Sequence, residues 1–289
     1  MLSKKILLNL LLLAIFVALA LFITSTEQTD TKLPLLSSTD TGSVNTIRIR
    51  HNASTIIIER AINDTGDHVG DHAGEHTGAG WHIRQPVDVA ANQMRVNTLL
   101  RLLMAPVHSS YPVANIDAKS IGLDDSRDSI SFDNQTFTFG QVNPATGLRY
   151  ISDGETVYTI EDVYFPLISS HFSTLVSFRL LPEDIEIDRL VLLQQTISQD
   201  DSGRWQSNID ITADEVAAII ASWRSAQAFG VRQYIEKESQ GELFVTAKDG
   251  TQFSFVITDT DPWLILARPE LDLEYHLEKE GLKKLTGQY

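Results

Sequence analysis

The sequence predicts an α+β protein, built as an N-terminal transmembrane helix followed by two similar units, each an antiparallel sheet with a packed helix. Three observations predict it. An apolar run opens the chain, short alternating segments fill most of the remainder, and one helical stripe recurs with the same spacing in each half.

The opening run extends from Ile6 to Ile23, broken only by Asn9. Its eighteen residues would make about 27 Å of helix, against a hydrocarbon core of about 30 Å. Lys4 and Lys5 precede it and Glu27 and Asp30 follow, which predicts a cytoplasmic N-terminus and an exported body. A cleaved signal peptide is the rival reading. Ala18-Leu19-Ala20 has the small-x-small form, but a cut there would expose Leu21-Phe22-Ile23 at the new terminus. Residues 1–25 are therefore read as the anchor. Residues 26–44, rich in Thr, Ser and Asp, are read as a flexible tether.

The first unit spans 45–163. Ile47-Arg48-Ile49-Arg50 and Thr55-Ile56-Ile57-Ile58-Glu59 alternate as a hairpin would, and Trp81-His82-Ile83 reads as a third strand. Val96, Leu99, Leu100 and Leu103 then recur at i, i+3, i+4 and i+7, one face of a helix. A meander follows over Ser129–Phe132, Thr136–Phe139, Arg149–Ile151 and Thr156–Tyr158, with Asp133-Asn134 and Asp153-Gly154 as turns. Residues 164–184, with Phe165, Leu167, Phe172, Leu175 and Phe178, read as a packed linker helix.

The second unit, 185–289, repeats the order. Leu190–Leu193 and Arg204-Trp205-Gln206 are strands, and Thr212 with Glu215 forms a capping box. Val216, Ile219, Ile220 and Trp223 carry the same stripe, and strands return at Glu242–Val245, Gln252–Phe255 and Trp263–Leu266. Leu and Lys at helical spacing from Leu277 to Leu285 suggest a closing helix.

Composition narrows the function. The chain has 38 acidic and 23 basic residues, a formal net charge of -15, with no Lys/Arg cluster, so nucleic acid is not an expected partner. There is no cysteine, which excludes disulfides, thiolate metal sites, cysteine nucleophiles and a lipoprotein anchor.

Several of these segments also carry a resemblance. Trp81 with Pro86-Val87, Val96-Asn97 with Leu99-Leu100, Tyr111-Pro112, Ile121-Gly122-Leu123, and Phe139-Gly140 followed by Gly147-x-Arg149-Tyr150 are together similar to the bacterial domain-of-unknown-function family DUF4340. The likeness is clearest from Ile47 to Pro182 and looser beyond. It implies a protein of the bacterial inner membrane with a periplasmic body, in a family some of whose members are linked to ABC-type transport or gliding-motility systems. It implies no reaction and no catalytic residues.

Candidate chemistry is sparse. Gly66 to Gly78 is a three-fold Gly-acid-His-x repeat, so His68, His72 and His76 are the candidate metal ligands; imidazoles beside carboxylates suit Zn²⁺, Ni²⁺ or Cu²⁺. A glycine at every fourth position opposes a helix, and the reading favoured here is a low-complexity hairpin loop. His171 beside Ser169-Ser170 lacks a Gly-x-Ser-x-Gly elbow to present a nucleophile. Asp124-Asp125, Asp200-Asp201, Asp259 and Asp261 sit in turn contexts. Trp81, Trp205 and Trp223 read as core anchors, and Trp263 after Pro262 as a strand start that could border a groove. The expected function is a non-enzymatic interaction or accessory module whose partners are envelope or transporter membrane proteins, with no cofactor. A metal-binding protein acting through the histidine loop, or an envelope hydrolase, is the alternative.

Overall fold

The computed structural model describes residues 33–61 and 80–287, with residues 13 and 15–17 ahead of them in helical conformation. The expected transmembrane helix falls almost wholly outside the described residues. Among those described, no helix is long and apolar enough to cross a membrane.

Two antiparallel sheets make up most of the body. The first contains β1 (Thr46–His51), β2 (Ser54–Arg60), β3 (Trp81–Gln85), β4 (Val89–Ala90), β5 (Ser109–Pro112), β6 (Ser129–Phe132), β7 (Gln135–Val142), β8 (Leu148–Ser152) and β9 (Thr156–Glu161). The second contains β10 (Ile187–Val191), β11 (Thr196–Gln199), β12 (Trp205–Ser207), β13 (Gly230–Gln233), β14 (Gly241–Ala247), β15 (Gln252–Asp259), β16 (Trp263–Arg268) and β17 (Leu273–Glu278). Their strand orders are β4-β3-β2-β1-β6-β7-β8-β9-β5 and β12-β11-β10-β14-β15-β16-β17-β13. Without β4 the two orders are the same, strand for strand. Register agrees as well: Ile49 lies opposite both Ile56 and Ile130, as Leu190 lies opposite both Ile197 and Val245.

In each sheet the connection between the two edge strands carries one helix. In the first sheet it is α1 (Gln93–Leu100), capped by the Asn92 side chain, which accepts from the Arg95 N–H. In the second it is α3 (Ala213–Ser225), which starts with the complete Thr212–Glu215 capping box. The apolar stripes face inward. Val96, Leu99 and Leu100 are buried on one helix and Val216, Ile219, Ile220 and Trp223 on the other. Each such side chain contributes about 1.5–3 kcal/mol of burial. Most buried apolar residues of both sheets belong to one contiguous core, and Leu35–Tyr289 is one compact unit.

The chain must then recross each sheet, from the edge strand β5 or β13 back to β6 or β14. Seven residues, 234–240, do this in the second sheet. Four strand spacings are about 19 Å, and seven extended residues reach about 23 Å, so this crossover has little slack. The first sheet uses sixteen, 113–128, enough for a 3-10 turn at Val113–Asn115. Both crossovers lie on the face away from the core. Beneath them Val157, Ile265 and Ala267 are buried yet outside the core cluster.

Three expectations are corrected. The tether expected over 26–44 is docked from Leu35 onward: the Leu36 and Ser37 N–H groups donate to the Ala105 and Leu103 carbonyls, and Val44 is fully buried. The linker helix over 164–184 is instead one turn, α2 (Phe165–Ile168), and a separate 3-10 turn at Phe172–Leu175. The Ser169 and Ser170 hydroxyls donate to the Phe165 and Pro166 carbonyls, and His171 starts the second turn with extended backbone angles. Beyond it the linker joins the halves: Val176 bridges to Ala91 and Arg179 to Gln227. The closing helix is shorter than its pattern, because Leu273–Glu278 is the strand β17 and only α4 (Gly281–Thr286) is helical.

Candidate functional site

His68, His72 and His76 lie outside the described residues. The remaining sequence candidates are built into local structure. His171 Nδ1 accepts from the Ser173 N–H at 3.3 Å, capping the 3-10 turn, and its Nε2 lies 3.6 Å from Asp272. Burial of the ring lowers its pKa, with Asp272 opposing. The Ser169 and Ser170 hydroxyls donate to helix carbonyls, and the serine that meets the ring is instead the buried Ser173, whose hydroxyl lies 3.0 Å from His171 Nδ1. Asp200 accepts from Ser202 and Arg204 within its own turn, and these bonds hold its carboxyl below the usual range. Asp259 pairs with Lys237 at 3.3 Å and Asp261 with Lys279 at 2.7 Å. Trp81 and Trp223 are buried as core anchors, whereas Trp205 is half-buried. Among the described residues no group of three or more His, Asp or Glu is placed to hold a metal ion.

The first crossover forms the more polar concavity, about 370 Å³, lined by Asn52, Asp125, Ser126, Asp128, Gln141 and Arg149 among others. Arg149 is its organising side chain, and sequence reasoning noted it only as part of a motif. Its Nη1 donates to the Gly140 carbonyl at 2.6 Å and its Nη2 to Asp162 at 3.0 Å, with a second bond from Nε to the same carboxylate. The guanidinium lies 3.7 Å from the centroid of Phe165 on α2. On the other side, His51 at the end of β1 bonds Asp128 through Nδ1 at 2.7 Å. The Ser126 hydroxyl donates to the Phe139 carbonyl. Arg149 and His51 are thus each bonded to a carboxylate and the Ser126 hydroxyl to the backbone, whereas Arg127, which lines the same concavity, is exposed. The arrangement locks the crossover and α2 onto the sheet.

The glycines of this wall have a physical reason. The Gln141 N–H donates to the Ile121 carbonyl at 2.8 Å, and a Cβ on Gly140 would stand 2.5 Å from that same oxygen. Gly122, with φ of 72°, turns the crossover at this point. Ile121-Gly122-Leu123 and Phe139-Gly140, far apart in sequence, are thus two sides of one contact.

The second crossover leaves an aromatic surface instead. On its face of the sheet, Trp263 lies opposite Glu278, Ile265 opposite His276, and Ala267 opposite Glu274. His276 and Glu274 are buried and bonded to each other at 2.7 Å. Phe229 packs edge-on against Trp263, with ring centroids 5.1 Å apart, and also lies beside His276. The Ile235 N–H donates to Glu274. Phe229, Ile235 and Trp263 are nonetheless 48%, 63% and 42% exposed.

Residues 81–285 match the family described as a domain of unknown function, DUF4340. The chain belongs to that family. No curated protein and no solved structure matches it. The DUF4340 match opens at Trp81 on β3 and runs into α4, so it takes in all of the second sheet as well as the later part of the first. The likeness expected to be clearest from Ile47 to Pro182 and looser beyond is thus matched only from Trp81, leaving β1 and β2 outside, and extends through the second half. Within DUF4340 as this chain presents it, the Gly140–Ile121 contact and the Arg149 clamp both fall inside the matched stretch.

Proposed function

We propose that this DUF4340 protein is a non-enzymatic docking module, held at the bacterial inner membrane by its first 25 residues with its body in the periplasm, and serving as an accessory to an envelope or ABC-type transport system. The observation that carries the reading is the commitment of three chemistry-bearing side chains around the concavity at the first crossover. Arg149, His51 and Ser126 are all bonded to the fold itself. Such a frame is suited to holding a surface in shape rather than to turning over a substrate. The helical conformation at residues 13 and 15–17, within the apolar run, supports the anchor. Two copies of one topology in a single body supply two distinct crossover faces.

The reading is tested by solubilising native membranes in mild detergent and sizing the tagged full-length protein. It predicts an assembly heavier than the 32.2 kDa chain with its detergent, containing a second protein in fixed ratio. A particle accounted for by this chain and detergent alone would overturn it.

A further inference from the structure

The second crossover carries a surface that the body does not use. Topology explains why it is open. Seven residues must cross β17, β16 and β15 nearly straight, so segment 234–240 covers Glu274 and His276 but cannot widen to cover the strand start at Trp263. A continuous row results: Ile235 bonds Glu274, Glu274 bonds His276, His276 lies beside Phe229, and Phe229 packs on Trp263. The buried histidine–carboxylate pair forms the floor, and three large apolar side chains at least two-fifths exposed form the top.

Charge around the row is mostly acidic, with the exposed Arg232, opposite Glu274 on β13, as a cation on the same face. The rim segments 234–240, 259–263 and 278–280 hold Glu236, Glu238, Asp259, Asp261, Glu278 and Glu280 against Lys237 and Lys279. Both lysines are taken up, by Asp259 and Asp261. Glu236, Glu238, Glu278 and Glu280 are exposed and have no cationic partner within 4.0 Å among the described residues. An apolar centre in a rim of unpaired carboxylates is complementary to a protein segment with the reverse pattern, apolar side chains flanked by Lys or Arg. The same rim repels an anionic lipid surface.

We infer that the Phe229–Trp263–Ile235 surface is the docking face for a basic, apolar-tipped segment of a partner protein. This rests on the docking-module reading and names the face and the chemistry of the partner. Trp263 is the anchor, since a central half-exposed tryptophan is the side chain whose removal costs most at such interfaces. The unpaired carboxylates steer and orient the basic flank.

The test places a photoreactive amino acid at Ile235 or at Glu278 of the full chain in native cells, with Glu155 on the first sheet as the distant control. Phe229 and Trp263 stay intact in these variants. Expected are adducts from 235 and 278 with one protein, through a peptide with excess Lys and Arg beside apolar residues. Trp263→Ala, an exposed change that leaves the core alone, should cut their yield about tenfold or more. Adducts to lipid, to a second copy of this chain or to an acidic peptide would overturn the inference. So would yields indifferent to Trp263→Ala, or no adduct at either position. If these sites are silent while Glu155 captures a partner, the face is wrong and the docking-module reading stands; silence everywhere counts against both.

Discussion

Arg149 and His171 show how single side chains carry order that a linear reading misses. Arg149 ties β8, β7, the turn after β9 and α2 together through Gly140, Asp162 and the Phe165 ring. Its side chain is only 12% exposed. Arg149→Leu keeps the apolar stem but strands Asp162 and the Gly140 carbonyl. We expect a loss of roughly 1.5–3 kcal/mol, the range for a bond to a charged group, in a denaturant titration with an unchanged slope. His171 argues about pH. Burial lowers its pKa from the ordinary 6.5, and His82 shifts the same way, also chiefly by burial. Below that ordinary value the unfolded chain binds protons that the folded one resists, so stability present above it is lost as pH falls. Melting temperature should drop between about pH 7.5 and pH 5.5, and His171→Gln should lessen the drop. A His171→Gln profile that matches the parent would assign the effect to other groups.

At the scale of elements, the crossovers distinguish the two sheets. Gly140→Ala places a methyl 2.5 Å from the Ile121 carbonyl, so the first crossover must lift off β7. Amide exchange should rise at Gln141, whose N–H donates to that carbonyl, well beyond any rise at the equivalent hairpin of the second sheet. Uniform exchange across both sheets would show that the contact is not what seats the crossover. What was legible in the sequence follows from periodicity. Strands with one buried face, such as β1 with Ile47 and Ile49 inward, alternate cleanly, and both helix stripes are in phase with their buried faces. β5 and β13 escaped because they are four-residue edge strands whose side chains are mostly exposed, and β5 ends at Pro112. β17 was misread because a crossover covers its outer face, burying Glu274 and His276 beside Leu273, Tyr275 and Leu277 and erasing the alternation. The Arg149 clamp was illegible for a different reason, and of the Phe229–Trp263 surface only Trp263 was singled out. Their partners meet only through the fold, with Phe229 and Trp263 34 residues apart.

The whole molecule is one topology used twice, with the same strand order, a helix-bearing connection between the edge strands of each sheet and a crossover on the other face. The copies have diverged where the crossovers lie. The first is long and polar and is held by the His51–Asp128 and Ser126–Phe139 hydrogen bonds; the second is taut and leaves aromatics open. A linker bridged to Ala91 on one side and Gln227 on the other ties the halves together. In the proposed arrangement an N-terminal anchor holds this doubled scaffold at the membrane, and its value lies in the surfaces it presents. The most direct measurement is quantitative mass spectrometry of the tagged full-length protein after mild crosslinking in its native cells, against an untagged control. The account predicts one transporter or envelope-assembly subunit enriched far above the rest. No protein enriched over the control would contradict it.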